Sequence, residues 1–162
     1  MTADAQTGGQ QTVALVHTEL TMLVTALWFE IDHGDGSAAS GFFTADAELT
    51  FSRRTFRGTD EIDGVYSART ARGPRVSRHL MSNLHILRHE TDLVEAVSVL
   101  VLYAQDGEPP VPTTTPVLVA DVFDRFVRTG GPDGQARRWL IAARRIENRF
   151  LLPGDVLAVP TE

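Results

Sequence analysis

The chain has 162 residues, a formal net charge of −6 and 43% apolar side chains, which predicts one compact domain with a single core and a sizeable pocket. Cysteine is absent and all 15 basic residues are arginine, so disulfides, thiolate metal sites, cysteine nucleophiles, Schiff-base lysines and phosphate-binding P-loops are excluded. An acidic chain without a concentrated basic stripe argues against nucleic acid and anionic membranes as partners.

The N-terminal part of the chain predicts a tail followed by a helix. Residues 1–11 are polar and predict a disordered tail, with neither the basic nor the apolar region of a signal peptide, so we expect a cytoplasmic protein. Apolar residues then recur every three or four positions from Val13 to Ile31, before Gly34 and Gly36. This spacing predicts a helix that ends in a glycine turn. The longest wholly apolar run is far shorter than the roughly 20 residues of a membrane helix.

Several short elements are expected before the middle of the chain. The pattern predicts, in order, a short helix over residues 37–43, a strand over 44–53, a turn at 56–58 and a helix from Thr59 to Arg72. Thr59 or Asp60 is expected to cap this last helix, because both side chains can accept a hydrogen bond from a free backbone N–H group.

Everything after Pro74 is typical of a sheet. Four long runs rich in valine, leucine and aromatic residues predict strands: Val76–His89, Leu93–Ala104, Val117–Arg128 and Arg138–Phe150. Helices followed by consecutive strands and turns indicate an α+β domain with an antiparallel sheet. Because strands this long curl, we expect the N-terminal helices to pack in a strongly curved sheet that forms a cone with a pocket. This single domain is expected to span residues 12–152, with a C-terminal tail at 153–162.

Four segments in this order resemble one known family. They are FEIDHGD at the end of the first helix, FFTADAEL at the first strand, RGTDEI at the third helix and RHLMSNLHI in the first long strand. They resemble the SnoaL-like members of the nuclear-transport-factor-two-like superfamily, including the scytalone dehydratase-like and polyketide cyclase-like proteins. The resemblance covers about residues 12–150 and implies an α+β cone and a homodimer. Such cones host dehydratases, isomerases, cyclases, epoxide hydrolases and non-catalytic modules.

The predicted catalytic residues are Asp32 and His79. Asp32 follows aromatic residues at a helix C-terminus, where the helix dipole and apolar rings raise the pKa of a carboxyl group, although a turn residue would look the same. Histidine titrates near neutral pH and can take and return a proton, although a half-buried histidine bonded to backbone is the alternative. The resemblance implies that an aspartate at the position of Asp32 partners a strand histidine, here His79.

Other side chains are expected to line the pocket. Met81 and Asn83 alternate with His79 along one face of the predicted strand, and Asn83 would bind a carbonyl oxygen or satisfy a neighbouring strand. Tyr66 and Tyr103 would each donate to an enolate oxygen or lie in the core with a polar tip. Trp28 is expected in the core or the pocket lining. No histidine pair has the spacing of a supported metal site, so no metal is expected.

Two further groups of charged residues need partners. Arg69, Arg72, Arg75 and Arg78 are close in sequence, and we interpret them as a solvated, ion-paired surface; the alternative is a site for an anion such as a carboxylate or a coenzyme phosphate. Asp121 lies in an apolar strand, and a buried carboxylate there needs a partner such as Arg144 or Arg145. We interpret this second group as structural.

These observations favour a cofactor-independent acid/base enzyme, a dehydratase, isomerase or aldol-type cyclase acting on a small apolar carbonyl or hydroxyl compound such as a polyketide, steroid or aromatic metabolite. His79 would move the proton next to a carbonyl, and Asp32 would fix the histidine tautomer. The chain departs from the family's dehydratases because Leu93–Ala104 lacks their second titratable residue, apart from Tyr103 as a candidate. The alternative is a non-catalytic ligand-binding or assembly module, such as the small subunit of a ring-hydroxylating oxygenase.

Overall fold

A computed structural model describes residues 3–51, 53–130 and 137–153 of the chain, with side chains from Val13 onward. The described elements are, in order, α1 (Ala3–His33), a 3₁₀ turn (Ala39–Phe42), β1 (Phe43–Phe51), β2 (Arg54–Arg57), α2 (Gly58–Thr70), β3 (Arg75–His89), β4 (Leu93–Asp106), β5 (Leu118–Thr129) and β6 (Arg138–Leu151). They form the predicted α+β domain, in which α1 and α2 pack on one six-stranded curved sheet.

The sheet has the order β2-β1-β6-β5-β4-β3. All four predicted long strands are present, and their observed bounds differ from the predicted ones by at most two residues. Neighbouring strands run antiparallel, as expected, except that β1 lies parallel to β6. The segment after β1 is a second strand, β2, which forms an antiparallel hairpin with it. The prediction of a turn at residues 56–58 is therefore wrong.

The helix α1 supplies much of the core. Leu20, Val24, Leu27 and Ile31 are each at most 2% exposed, and the helix contacts β3 and β6. Residues 13–33 are long and apolar enough to cross a membrane by length and composition, with a mean hydropathy of 1.3. In this fold, however, one face of the helix is the apolar stripe that covers the sheet.

The ends of the predicted domain are not all described. The backbone of α1 begins at Ala3 and so overlaps the predicted tail of residues 1–11. Residues 154–162, most of the predicted C-terminal tail, lie outside the described residues. The domain boundaries, the homodimer and the cytoplasmic location stay predictions.

The start of α2 differs from the predicted cap. The helix begins at Gly58, and its N-cap residue, Arg57, makes no side-chain capping bond. Instead, the backbone N–H of Arg57 donates to Glu61 Oε2 at 2.7 Å. Thr59 and Asp60 lie inside the first turn, so the prediction that one of them caps the helix is wrong. A glutamate that reaches back from the first turn satisfies the free N–H group instead.

A β-bulge divides β3 into two halves. The pairing of β3 with β4 shifts register between Ser82 and His85, and Asn83 has a φ of 53°. A positive φ is uncommon for a residue other than glycine, and asparagine is one of the residues that tolerate it best. The extra residue therefore changes which side chains face the core on either side of the bulge.

Before the bulge, the odd-numbered residues of β3 face the core; after the bulge, the even-numbered residues do. Ser77 is buried, and His79 and Met81 are partly buried before the bulge, whereas Leu84 and Ile86 take the inward positions after it. An uninterrupted strand would keep the same parity along its length. The bulge thus confines the polar inward residues to the first half of the strand, which lies against the end of α1.

Candidate active site

One cavity opens between α1, α2 and the inner face of the sheet. Its wall is mostly apolar and includes six polar side chains, from Tyr66, Arg69, Arg75, Ser77, His79 and Asn148. The cavity volume is about 80 Å³, room for roughly six water molecules. Because the cavity is partly open, a ligand can extend beyond this volume.

Asp32 and His79 meet at the wall of this cavity. The end of α1 presents Asp32 to β3, where His79 Nδ1 lies 2.7 Å from Asp32 Oδ1. The backbone N–H of His79 donates to Asp32 Oδ2, also at 2.7 Å. The side chain of His79 is 11% exposed and that of Asp32 is 6% exposed. One residue therefore contacts both oxygens of the carboxylate, which sets the orientation of the imidazole ring.

Two further side chains continue this hydrogen-bond chain. Ser77 Oγ donates to Asp32 Oδ1 at 2.7 Å, and Arg69 Nη2 donates to Ser77 Oγ at 2.6 Å. Sequence reasoning missed Ser77, although it stands two residues before His79 and so shares its face of the strand. The carboxylate thus accepts hydrogen bonds from a hydroxyl, a backbone amide and an imidazole.

The surroundings of Asp32 and His79 favour an ionised carboxylate and a neutral imidazole. Burial raises the pKa of Asp32, but its hydrogen bonds with His79 and Ser77 outweigh this effect and bring the pKa to about 2. The expectation that its surroundings raise the pKa is therefore wrong. Burial lowers the pKa of His79, and the positive charges of Arg69 and Arg144 lower it further, against the opposing effect of Asp32. The hydrogen bonds to Asp32 persist when the imidazole is neutral.

Trp28 joins the site to a second buried pair. Its ring stacks on the imidazole of His79, with centroids 4.3 Å apart and planes 2° from parallel. The guanidinium of Arg144 lies 5.0 Å from the centroid of the same indole ring. Arg144 is held by Asp124 through hydrogen bonds of 2.7 and 2.8 Å. Asp121 instead bonds to Arg149 on a more exposed part of the sheet, so its predicted partner is wrong.

Tyr66 is a predicted pocket residue that lines the cavity, as His79 does. Its residue is 7% exposed, and its hydroxyl has no hydrogen-bond partner among the described residues. Burial raises the pKa of this hydroxyl to about 12, so it stays protonated and can donate. Trp28 also lines the cavity, whereas Met81 packs against the core and is absent from the cavity lining, so the prediction that Met81 lines the pocket is wrong.

Two other predicted lining residues lie further from the cavity. Asn83 sits at the bulge, exposed to solvent, and no longer shares the inward face with His79. Burial alternates along the whole of β4, and Tyr103 falls on its outer face between the buried residues Leu102 and Ala104. The predictions that Asn83 and Tyr103 line the pocket are therefore wrong.

The described residues offer no cluster of three histidine or acidic side chains that could hold a metal ion. Among the residues that the structure describes, Asp32 is the acidic group that contacts the imidazole of His79, and both of its oxygens already accept hydrogen bonds. The arrangement is suited to moving protons, because one neutral base held by a carboxylate and one protonated phenol line the same cavity.

Together, these features define a class of protein: an α+β cone whose cavity wall carries a carboxylate-supported histidine. The family model for the SnoaL-like domain matches residues 13–145, and the chain belongs to this family. A search of curated proteins finds no match.

Solved structures share the fold. A protein from Catenulispora acidiphila, in complex with S-DNPA, is 25% identical with a TM-score of 0.68, covering 83% of this chain and 94% of its own. An NTF2-like protein with a cystatin-like fold from Novosphingobium aromaticivorans is 20% identical with a TM-score of 0.68, covering 96% and 94%. A protein provisionally named scytalone dehydratase, also from Novosphingobium aromaticivorans, is 16% identical with a TM-score of 0.74, covering 91% and 93%.

Proposed function

We propose that this protein is a cofactor-independent acid/base enzyme that moves a proton next to a carbonyl group in a small, largely apolar compound. The reaction class is dehydration, isomerisation or aldol-type cyclisation. The observation that carries the proposal is the 2.7 Å contact between His79 Nδ1 and Asp32 Oδ1 at the wall of an apolar cavity. The family and the provisional name of one structural relative support the same class.

The carboxylate sets the histidine tautomer. Ionised Asp32 can only accept hydrogen bonds, so Nδ1 of a neutral His79 carries the proton and Nε2 keeps its lone pair. That nitrogen has no hydrogen-bond partner among the described residues, and the ring lines the cavity. Nε2 is therefore the proposed base, and the charge that it gains is stabilised by Asp32.

Tyr66 is the proposed donor to the oxygen that becomes an enolate. Its hydroxyl is buried, protonated and without a partner among the described side chains, so it can bind a substrate oxygen without first breaking a protein hydrogen bond. A donor placed in an apolar cavity stabilises developing negative charge more strongly than it would in water.

A single histidine can complete a dehydration. In a β-hydroxy ketone, His79 Nε2 takes the α-proton, a C–C double bond forms, the β C–O bond breaks, and the imidazolium returns its proton to the departing hydroxide as water. A mechanism with a single base suits this site because Tyr103, the candidate on β4, faces away from the cavity. Among the described residues that line the cavity, His79 is the only histidine, and none is aspartate or glutamate.

The test uses proton exchange, which requires no knowledge of the natural substrate. The protein is incubated with β-tetralone, a bicyclic ketone, in heavy water, and deuterium uptake at the α-carbon is followed by proton NMR. We expect the wild type to accelerate uptake over the buffer rate and His79→Ala to abolish the acceleration. His85→Gln is the matched control, because this exposed histidine lies further along the same strand.

The outcomes separate the enzyme from the alternative module. Acceleration that survives in His79→Ala would show that another group performs the exchange. Exchange at the buffer rate with the wild type would favour a cavity that binds ligands without turnover. Equal loss in His79→Ala and His85→Gln would point to an effect on folding, which circular dichroism of both variants would reveal.

A further inference from the structure

Two arginines lie in the mostly apolar lining of the cavity. Arg69 comes from the last turn of α2 and Arg75 from the first residue of β3, and both line the cavity. The side chain of Arg75 is 9% exposed, and Arg69 is half-buried. Among the described residues that line the cavity, these two are the only fully charged ones. An apolar compartment bounded by two cations favours a ligand that carries negative charge.

Arg69 has unused capacity to bind an anion. One of its N–H groups donates to Ser77 Oγ, and no carboxylate of the described residues lies within the 4 Å of an ion pair. A guanidinium carries five N–H donors in a planar fork that matches the two oxygens of a carboxylate. Burial lowers the pKa of Arg69, and the neighbouring charge of Arg75 lowers it further, against an opposing effect of Asp32. A bound anion would relieve both unfavourable effects.

Arg75 is only partly neutralised. Its Nη1 lies 2.6 Å from Asp106 Oδ1, but that carboxylate is 65% exposed and is shared with Arg72, at 3.9 Å from Oδ2. Exposed carboxylates that serve two guanidinium groups offset little of their charge, because solvent screens the pair. The cavity side of Arg75 therefore remains attractive to a second anion.

We propose that the cavity binds a small ring compound bearing a carboxylate group, and that Arg69 and Arg75 hold this carboxylate. The proposal deepens the proposed function, on which it rests for treating the ligand as the substrate. The apolar wall of the cavity would receive the ring, with the acid arm at the arginines. Charge-assisted bonds from two guanidinium groups would fix the ring relative to His79.

A structural role for both arginines is the competing explanation. In that case Arg69 would only position Ser77, and Arg75 would only pair with Asp106. The two explanations differ in one measurable respect: a positioning role does not discriminate between an acid and its neutral amide. The test therefore compares two ligands of nearly identical shape.

The experiment measures binding of naphthylacetate and naphthylacetamide to the full chain by tryptophan fluorescence at low salt, since Trp28 lines the cavity. We expect the wild type to bind the acid at least about tenfold more tightly than the amide. Arg69→Gln and Arg75→Gln should each remove most of this preference by weakening acid binding far more than amide binding, and the amide binding that remains demonstrates an intact cavity. Arg69→Lys should retain part of it.

Arg88→Gln is the matched control, because it removes one positive charge from an exposed part of the same strand. Its acid preference should equal that of the wild type. Equal binding of the two ligands by the wild type, no binding of either, or a preference that survives in both glutamine variants would overturn the proposal. If one glutamine variant no longer binds the amide, its cavity is damaged, and the other glutamine variant then decides the outcome.

Failure of this proposal and failure of the proposed function give different results. His79→Ala leaves the arginines in place, so it should keep the acid preference even though it abolishes proton exchange. If the wild type prefers the acid but accelerates no exchange, the anion site stands and the enzyme proposal fails. If the wild type accelerates exchange but binds acid and amide equally, the reverse holds.

Discussion

Two buried acid–base pairs lie in the same core and contact the same indole ring. Asp32 holds His79 at the cavity, and Asp124 holds Arg144 behind it, with Trp28 touching both bases. Each pair places a carboxylate from one element against a base from another. They differ in the base: an imidazole can change its charge near neutral pH, whereas a guanidinium cannot.

The difference explains why only one pair is suited to chemistry. Arg144 is 1% exposed and binds both oxygens of Asp124, so its charge is permanent. Burial lowers the pKa of Arg144, but Asp124 raises it more, above its usual value. His79 keeps one nitrogen unengaged by the described residues and faces a cavity. The Asp124–Arg144 pair therefore stabilises the arrangement of the core, and the Asp32–His79 pair can exchange protons with a ligand.

The largest expected effect comes from removing the charge that supports His79. Asp32→Asn keeps the shape of the carboxyl group but can donate to His79 Nδ1 and so favour the wrong tautomer. We expect the rate of β-tetralone exchange to fall by about 10²- to 10⁴-fold. Asp46→Asn, on the exposed face of β1, is the control and should leave the rate unchanged. A variant that retains a tenth of the activity would remove the distinction between the pairs.

Disruption of the Asp124–Arg144 pair should instead lower the stability of the protein. Arg144→Met leaves Asp124 buried without its partner, and the free energy of unfolding should drop by about 3–5 kcal/mol. Urea denaturation followed by circular dichroism measures this change. The double variant Asp124→Leu with Arg144→Met should recover much of the loss, because no buried charge is then left unpaired. A loss that the double variant does not recover would mean that the pair has a role beyond mutual neutralisation.

The depressed pKa of Asp32 predicts a loss of stability in acid. Its folded pKa is about 2, below the unfolded value of 3.8, so the stabilisation is fully present above pH 4 and is lost as the pH falls towards 2. The expected loss is about 2 kcal/mol, from a shift of nearly two pKa units. Urea titrations of the wild type and Asp32→Asn between these pH values measure it as a difference in slope. Parallel pH dependences would contradict the assigned pKa.

The smallest effect distinguishes the two tyrosines. Tyr66→Phe removes the proposed donor and should slow exchange about tenfold, the equivalent of one hydrogen bond to a developing charge. Tyr103→Phe is its matched control, because this hydroxyl lies on the outer face of β4. The two rates, measured under identical conditions, should differ by that factor. A slower rate in Tyr103→Phe would place the site on the other side of the sheet.

Much of the fold could be predicted from local patterns. Period-two alternation and turn residues placed all four long strands, and period-three-to-four spacing placed most of α1. The same alternation would also have placed Asp124 inside, since β5 buries Leu118, Ala120, Val122 and Phe126. Asp121 also has apolar neighbours in sequence, but it lies on the opposite face of the strand. The alternation along the whole strand, rather than the neighbours of one residue, therefore predicts which carboxylate is buried.

The candidate site could be predicted only in part. The contact between Asp32 and His79 joins residues 47 positions apart, and residue type and family resemblance together indicated both. The position of Asn83 could not be predicted, because a bulge depends on pairing with β4 rather than on a motif in β3. The interior role of Arg69 and Arg75 also depends on how the end of α2 packs against β3, which spacing along the chain does not reveal.

The bulge at Asn83 has a consequence for how this chain can vary. Since the strand changes parity there, a residue inserted or deleted beyond it alters the outer end of β3 without rotating His79 or Ser77. The outer end carries exposed side chains such as Leu87, and these can be exchanged while the proton-handling residues stay in phase with α1. Substitutions at the outer end of β3 can therefore accumulate without displacing the residues of the candidate site at the other end of the same strand.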